Sequence, residues 1–204
     1  MSTALTTSVN TGLALPQDIE IPRLNVAQKM SQFDAPAGSV VLDKEDIILE
    51  AEERTNVIVI GASKRWKEDV PYDEEVMPKI VGTEDEARAL ASESDYEVIE
   101  FAELVFLIPQ VGEDDSMFPY PIGDTNYQLG RLTVQKDAYR LTYKKLFTFA
   151  FLNRDTPPSA IYWDFGTEVM TKGKYSWYVP SLNSTKEETP AEVVDFVKGF
   201  TQKD

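Results

Sequence analysis

This sequence predicts a mainly β protein of the α+β class: one β-barrel domain with two or three peripheral helices. Three observations predict it. Short β-branched and aromatic runs of strand length recur along the chain, turn residues punctuate them, and helix-start signals are confined to a few places. At 204 residues the chain suits one domain with a real hydrophobic core.

Residues 1–18 (MSTALTTSVNTGLALPQD) read as a flexible N-terminal arm, with no basic region and apolar core of a signal peptide. The domain proper spans 19–188. Its first strand is Ile19 to Gln28, with Pro22 marking an edge or a strand start. Asp34 to Ser39 is turn chemistry. Asp46 to Glu50 and Asn56 to Ser63 are strands, the second β-branched, nearly all apolar and therefore central. It runs straight into Lys64-Arg65-Trp66-Lys67.

An acidic insertion at about 68–125 follows. Within it, Glu68 to Gly82 is punctuated by proline, and Thr83-Glu84-Asp85-Glu86 is a capping box opening a helix over roughly 84–92, with Ala87, Leu90 and Ala91 on one side. Tyr96 to Gln110 is a long strand, Glu113 to Asp124 a loop, and Tyr127 to Val134 another strand. Asp137 to Phe151 carries two patterns. Ala138, Leu141 and Tyr139, Tyr143, Leu146 fit a helix through about Lys145, whereas Phe147, Phe149 and Phe151 alternate as a strand would. Ile161 to Val169 and Lys174 to Pro180 form a hairpin through Thr171-Lys172-Gly173. The amphipathic helix of 189–204 begins at Thr189-Pro190-Ala191-Glu192, with Thr as cap, Pro in the first turn and Glu closing the box; Val193, Val194, Phe196, Val197 and Phe200 give its apolar face. Strands, turns and size together suit a small barrel such as an OB-fold.

Composition narrows the chemistry. With no histidine and no cysteine, the chain has no Ser-His-Asp or Cys-His nucleophile system, no imidazole or thiolate metal site and no disulfide. The net charge of −15, from 35 acidic and 20 basic side chains, argues at first against a phosphate-binding protein. The charge is segregated, however. Residues 64–125 carry a net of −12, whereas 126–182 carry +4 and hold 12 of the 22 aromatics.

Cations beside flat rings are what a single-stranded nucleic-acid groove uses, the cations meeting phosphates and the rings taking base faces. The candidates are Lys64, Arg65, Trp66 and Lys67 leaving the central strand, Arg140, Tyr143, Lys144 and Lys145 on or near the proposed helix, and Tyr162, Lys172, Lys174, Tyr175, Trp177 and Tyr178 on the hairpin. On that hairpin Tyr178 and Tyr162, beside Lys172 and Lys174, form the expected stacking platform. For each residue the plainer alternative is a solvated surface cation or a buried core ring. The acidic groups Glu113-Asp114-Asp115 and Glu74-Glu75 lack the spacing of a metal loop and read as solvated runs. No Asp-x-Lys or Glu-x-Lys tripeptide of the nuclease kind, no P-loop and no dinucleotide fingerprint occurs, so no catalytic residue, metal or cofactor is expected.

The segment Ile21 to Ser31 (IPRLNVAQKMS) with Pro36 and Gly38 in the following turn, then Tyr139-Arg140-Leu141-Thr142, Trp163 and Lys174-Tyr175-Ser176-Trp177-Tyr178-Val179-Pro180, resembles phage single-stranded DNA-binding proteins of OB-fold type. The resemblance implies non-catalytic, sequence-tolerant binding of single-stranded DNA in viral replication or recombination, through Lys64, Arg65, Trp66 and the aromatics of 140–178. With no signal peptide, no apolar stretch long enough to span a bilayer (Phe101 to Val111 is too short) and no cysteine, the expected location is cytoplasmic, in the host cell if the protein is viral, with no membrane. Self-association or replication proteins are the further partners expected. Such proteins often end in an acidic tail with a terminal aromatic. This sequence ends in an amphipathic helix and Thr201-Gln202-Lys203-Asp204, so tail-mediated recruitment is not expected. The rival classes are a virion structural or assembly protein and an acidic DNA mimic using 64–125, with a Mg²⁺-dependent hydrolase behind them.

Overall fold

A computed structural model describes residues 20–32, 34–71, 73–112 and 116–201, with the side chains of 200 and 201 left aside. The proposed arm, the acidic triplet at 113–115 and the contribution of Phe200 to the last helix lie outside the residues and side chains described. Ten strands and four α-helices follow one another as β1 (Arg23–Val26), β2 (Val40–Leu42), β3 (Asp46–Leu49), β4 (Arg54–Glu68), β5 (Ile80–Val81), α1 (Glu84–Glu93), β6 (Val98–Pro109), β7 (Tyr120–Ile122), β8 (Thr125–Gln135), α2 (Lys136–Leu141), α3 (Tyr143–Leu152), β9 (Ile161–Lys172), β10 (Tyr175–Glu188) and α4 (Ala191–Thr201) among the described residues. The protein is mainly β, with a strongly curled open sheet that makes a half-barrel.

The sheet order is β10-β9-β4-β6-β8-β1-β2-β3, with β5 added beside β4 and β7 beside β8. β4 divides its pairing between two neighbours. Its first residues, Arg54 to Val57, pair with β9, whereas Ile58 to Glu68 pair with β6. The register slips between Val59 and Gly61, and such a bulge bends and twists its strand. β4 also continues through Glu68, beyond the expected end at Ser63, because Lys64 to Glu68 pair in register with Ala102 to Val98. Residues 68–125 contribute β6, which sits between β4 and β8 and has apolar neighbours on both faces.

Two cores result. Inside the curl, Val57, Leu104, Phe106, Trp163, Phe165 and Leu182 are buried together, and Tyr139 and Leu146 from α2 and α3 plug the open side. On the convex face, Ile58, Leu107, Tyr127 and Leu129 are covered by Val193 and Val197 of α4. The open edge is latched by a side chain. The Gln28 amide donates to the Tyr178 carbonyl (2.8 Å) and accepts from the Tyr178 N–H (3.0 Å), taking the place of a neighbouring strand. Thr167 Oγ1 donates to the Gly38 carbonyl beside it, at 2.8 Å. Gly38 has φ +101°, and a Cβ there would lie 2.7 Å from the Tyr178 ring, so glycine is required twice over.

The helices follow their local chemistry in most respects. Thr83 and Glu86 form the expected capping box; Ala87 and Leu90 are buried, but Ala91 is exposed because the short helix meets the sheet along a narrower strip. Asp137 to Phe151 is helical almost throughout, so the strand alternation of Phe147, Phe149 and Phe151 is overridden once α3 buries Leu146. Thr142 separates α2 from α3, its hydroxyl donating to the Ala138 carbonyl at 2.6 Å, a back-bond of the kind that bends helices. The expected box at Thr189 does not form. Its buried Oγ1 has no partner among the described residues, and the Pro190 carbonyl instead receives the Val193 and Val194 amides.

The end of β4 is held by one buried carboxylate. Glu68 accepts from the Lys79 amide and the Ser94 hydroxyl, each at 2.7 Å, and these bonds, the Lys79 amide first, hold its pKa below the ordinary value of 4.5. Glu86 is shifted the same way by its bonds to Thr83 and Gly82. A depressed carboxyl contributes stability that is present above its unfolded pKa and is lost as pH falls through its folded one. Urea midpoints measured between about pH 6 and pH 3 are therefore expected to fall more steeply for the wild type than for Glu68→Gln.

Candidate nucleic-acid interface

Because α2 and α3 run across the open side of the half-barrel, their polar flank faces the edge strand β10. A groove of about 540 Å³ lies between them. Its cations are Arg140, Lys144 and Lys145; Phe149 and Trp163 line its apolar side, and Asn153, Asn183 and Ser184 its polar rim. Trp163 is almost wholly buried, donates its indole N–H to the Pro158 carbonyl (2.8 Å) and meets Phe149 edge-on at 5.2 Å. Lys145 is fixed by Asn183 Oδ1 at 2.7 Å. Arg140 is only loosely paired, 3.8 Å from Asp137, and Lys144 is exposed with no ion pair among the described residues.

Beside this groove runs a ladder of rings spaced four residues apart, the spacing that places side chains on one helix face. Tyr139 and Tyr143 stack at 5.0 Å, and Tyr143 and Phe147 at 6.1 Å. Phe151 continues the series, with the Arg154 guanidinium 5.5 Å from its ring. Tyr139 is buried and donates to Glu100, and burial, followed by the charge of Glu100, raises its pKa. The outer rungs are different: Phe147 and Phe151 are each 62% exposed, and the neighbouring Leu152 is 72% exposed.

The other candidates divide into two groups. Lys64 to Lys67 do not leave the strand but alternate across it, so Lys64 and Trp66 share one face and Arg65 and Lys67 the other. Lys64 pairs with Glu100 at 2.5 Å and Arg65 with Glu103, both diagonal neighbours on β6. Lys64 lies 4.6 Å from the Trp66 ring, while Arg65 and Lys67 flank Phe101. Burial lowers the pKa of Lys67, partly offset by Asp69. Glu100 accepts from both Lys64 and Tyr139, so this cluster touches the start of the helical ladder, but Lys64 and Arg65 are matched by strand carboxylates.

The hairpin cations and rings lie elsewhere. Tyr175 is eight residues from Asn183 along β10, roughly 26 Å at strand rise. The turn is Gly173-Lys174, one residue later than expected, with Gly173 at φ +61°. Lys172, Lys174 and the 66% exposed Tyr175 crowd this tip, and half-buried Trp177 pairs with Met170. Tyr162 and Tyr178 do not form a platform. The register puts Tyr178 on the face of Trp163 and Phe165, against Gly38, whereas Tyr162 takes the opposite face and packs in the core under α4, where Tyr127 bonds to it.

The structure thus gathers Arg140, Lys144 and Lys145 and places Tyr143 beside them, and it adds Phe147, Phe151, Leu152 and Asn183, which the sequence reading did not single out. The aromatic recurrence at 139, 143, 147 and 151 was the available signal. Among the described residues no group of three or more carboxylates comes together to hold a metal ion, and Glu74 instead accepts from the Tyr96 hydroxyl. No helix among them is long and apolar enough to cross a membrane. Comparison of the chain with protein-family models, with curated proteins and with solved structures finds no match.

Proposed function

We propose that the protein binds single-stranded nucleic acid without catalysis, along α2 and α3. Arg140, Lys144 and Lys145 meet phosphates, and Phe147 and Phe151 take base faces. One observation carries this reading: three cations and two exposed rings lie together on the consecutive helices α2 and α3 in a chain of net charge −15. An isolated exposed phenylalanine is ordinary, but two in series beside unpaired positive charge supply both halves of a stacking-and-phosphate site. The curled, mainly β sheet suits the finer reading as an OB-like barrel, and with it the likeness to phage single-stranded DNA-binding proteins.

The test is an anisotropy titration with a labelled oligothymidylate at several salt concentrations. Each phosphate neutralised contributes about −0.7 to the slope of log K against log salt, so engagement of three cations gives roughly −2. Absence of binding, or binding indifferent to salt, refutes the proposal. Intrinsic fluorescence is a poor reporter, since Trp163 is buried and Trp66 and Trp177 do not line the groove.

A further inference from the structure

The acidic stretch after β4 carries an unusual pairing of features. Asp73 and Glu75 are exposed and make no ion pair among the described residues, and Val76, Met77 and Ile80 beside them are 49%, 90% and 52% exposed. Carboxylates followed by bare apolar side chains are the chemical complement of the α2–α3 face, where Arg140 of α2 and Lys144 of α3 adjoin bare Phe147, Phe151 and Leu152. We propose that the α3 face docks a second copy of this chain, which seats its own segment from Asp73 to Ile80 there.

Within one chain the acidic segment is fastened to its own strand and its neighbours. Glu68 grips the Lys79 amide, Tyr96 bonds Glu74, and Asp69 pairs with Lys136 at 2.6 Å, which ties the acidic segment to the start of α2. Phe151 lies in α3, beyond the break at Thr142 and fifteen residues on from Lys136. The contact proposed is between molecules. Its two halves are unlike surfaces, so it is heterologous and repeats head to tail, giving rings or open chains rather than a two-fold dimer. Long-range repulsion between copies of net charge −15 is screened beyond about 8 Å at physiological ionic strength, which leaves the local match to act. The acidic segment presents carboxylates where a nucleic acid presents phosphates, so the two occupants exclude one another. The inference does not need the nucleic-acid reading, since it stands on the match between two surfaces of the same chain.

Sedimentation velocity of the full chain over rising concentration, at physiological salt, tests it. The wild type is expected to grow in average mass with concentration. The double variants D73K/E75K and R140E/K144E, checked for folding by circular dichroism, are each expected to self-associate about ten-fold or more weakly, because like charges then face one another. An equimolar mixture of the two regains wild-type association, since both contacts are again of opposite sign. D73K/E75K retains oligothymidylate binding while R140E/K144E loses it, which keeps this proposal separable from the previous one. A wild type that stays monomeric throughout, charge reversals without effect, or a mixture that does not recover each overturns it.

Discussion

Exchanging Arg140, Lys144 and Lys145 together for glutamine is expected to flatten the salt dependence of oligothymidylate binding by roughly two in log–log slope. Affinity at low salt falls with it, by about two orders of magnitude if each lost phosphate contact weakens binding several-fold. The same exchange at Lys64 and Arg65 is expected to change binding little. Those two cations are already matched by Glu100 and Glu103 on the adjoining strand, so their charge is compensated before any ligand arrives. Lys144, by contrast, is exposed with no carboxylate paired to it among the described residues, and Arg140 holds Asp137 only at 3.8 Å. Glutamine keeps much of the length and polarity of these side chains, so a change in slope reports charge and not collapse of the helix. Paired titrations of the two variants at three or more salt concentrations check the contrast; equal slopes would place the phosphate path elsewhere.

Trp163→Ala is expected to be the most destabilising single change near the groove, by about 3–5 kcal/mol, a large part of the 5–15 kcal/mol typical of a domain. Three losses combine. The indole fills a site with 1% exposure, its N–H leaves the Pro158 carbonyl, and Phe149 loses its edge-to-face partner. Trp163→Phe keeps most of the apolar contact and forfeits the hydrogen bond, so its expected cost is smaller, about 1–2 kcal/mol. Urea denaturation at neutral pH measures both. If the alanine variant were as stable as the wild type, α3 would not depend on the sheet for its position.

How much of this was legible in the sequence depends on the range of the interactions involved. The Thr83 box, the hairpin of β9 and β10 and the central apolar strand at 56–63 are specified by neighbours in the chain, and they form close to where the residue pattern puts them. Thr189 shows the limit of that reasoning: the cap sequence is present, but its buried hydroxyl makes no bond to the helix among the described residues. Lys64 and Arg65 looked available because nothing local opposes them. Their partners stand 36 and 38 residues further on and become visible only when β6 is laid beside β4. The groove sits between these extremes. Arg140, Lys144 and Lys145 were readable as a basic cluster, but their union with Asn183 and Trp163 needs α3 to lie along the edge of β10. The exposed pair Phe147 and Phe151 was obscured by a two-residue alternation that competes with the four-residue one.

The division of β4 has a consequence for how the molecule comes apart. Its first four residues are the sheet's only paired link to the β9–β10 hairpin among the described strands, and its remainder carries β6. A local opening at Ile58 to Ile60 would leave the two halves of the curl joined through the Gln28 and Thr167 latches and would loosen both cores at once. The amides of this short stretch should therefore exchange with deuterium only through global unfolding, at the slowest rates in the chain, while those at the hairpin tip exchange by fraying. One strand, shared between two sets of partners, makes the whole half-barrel a single cooperative unit.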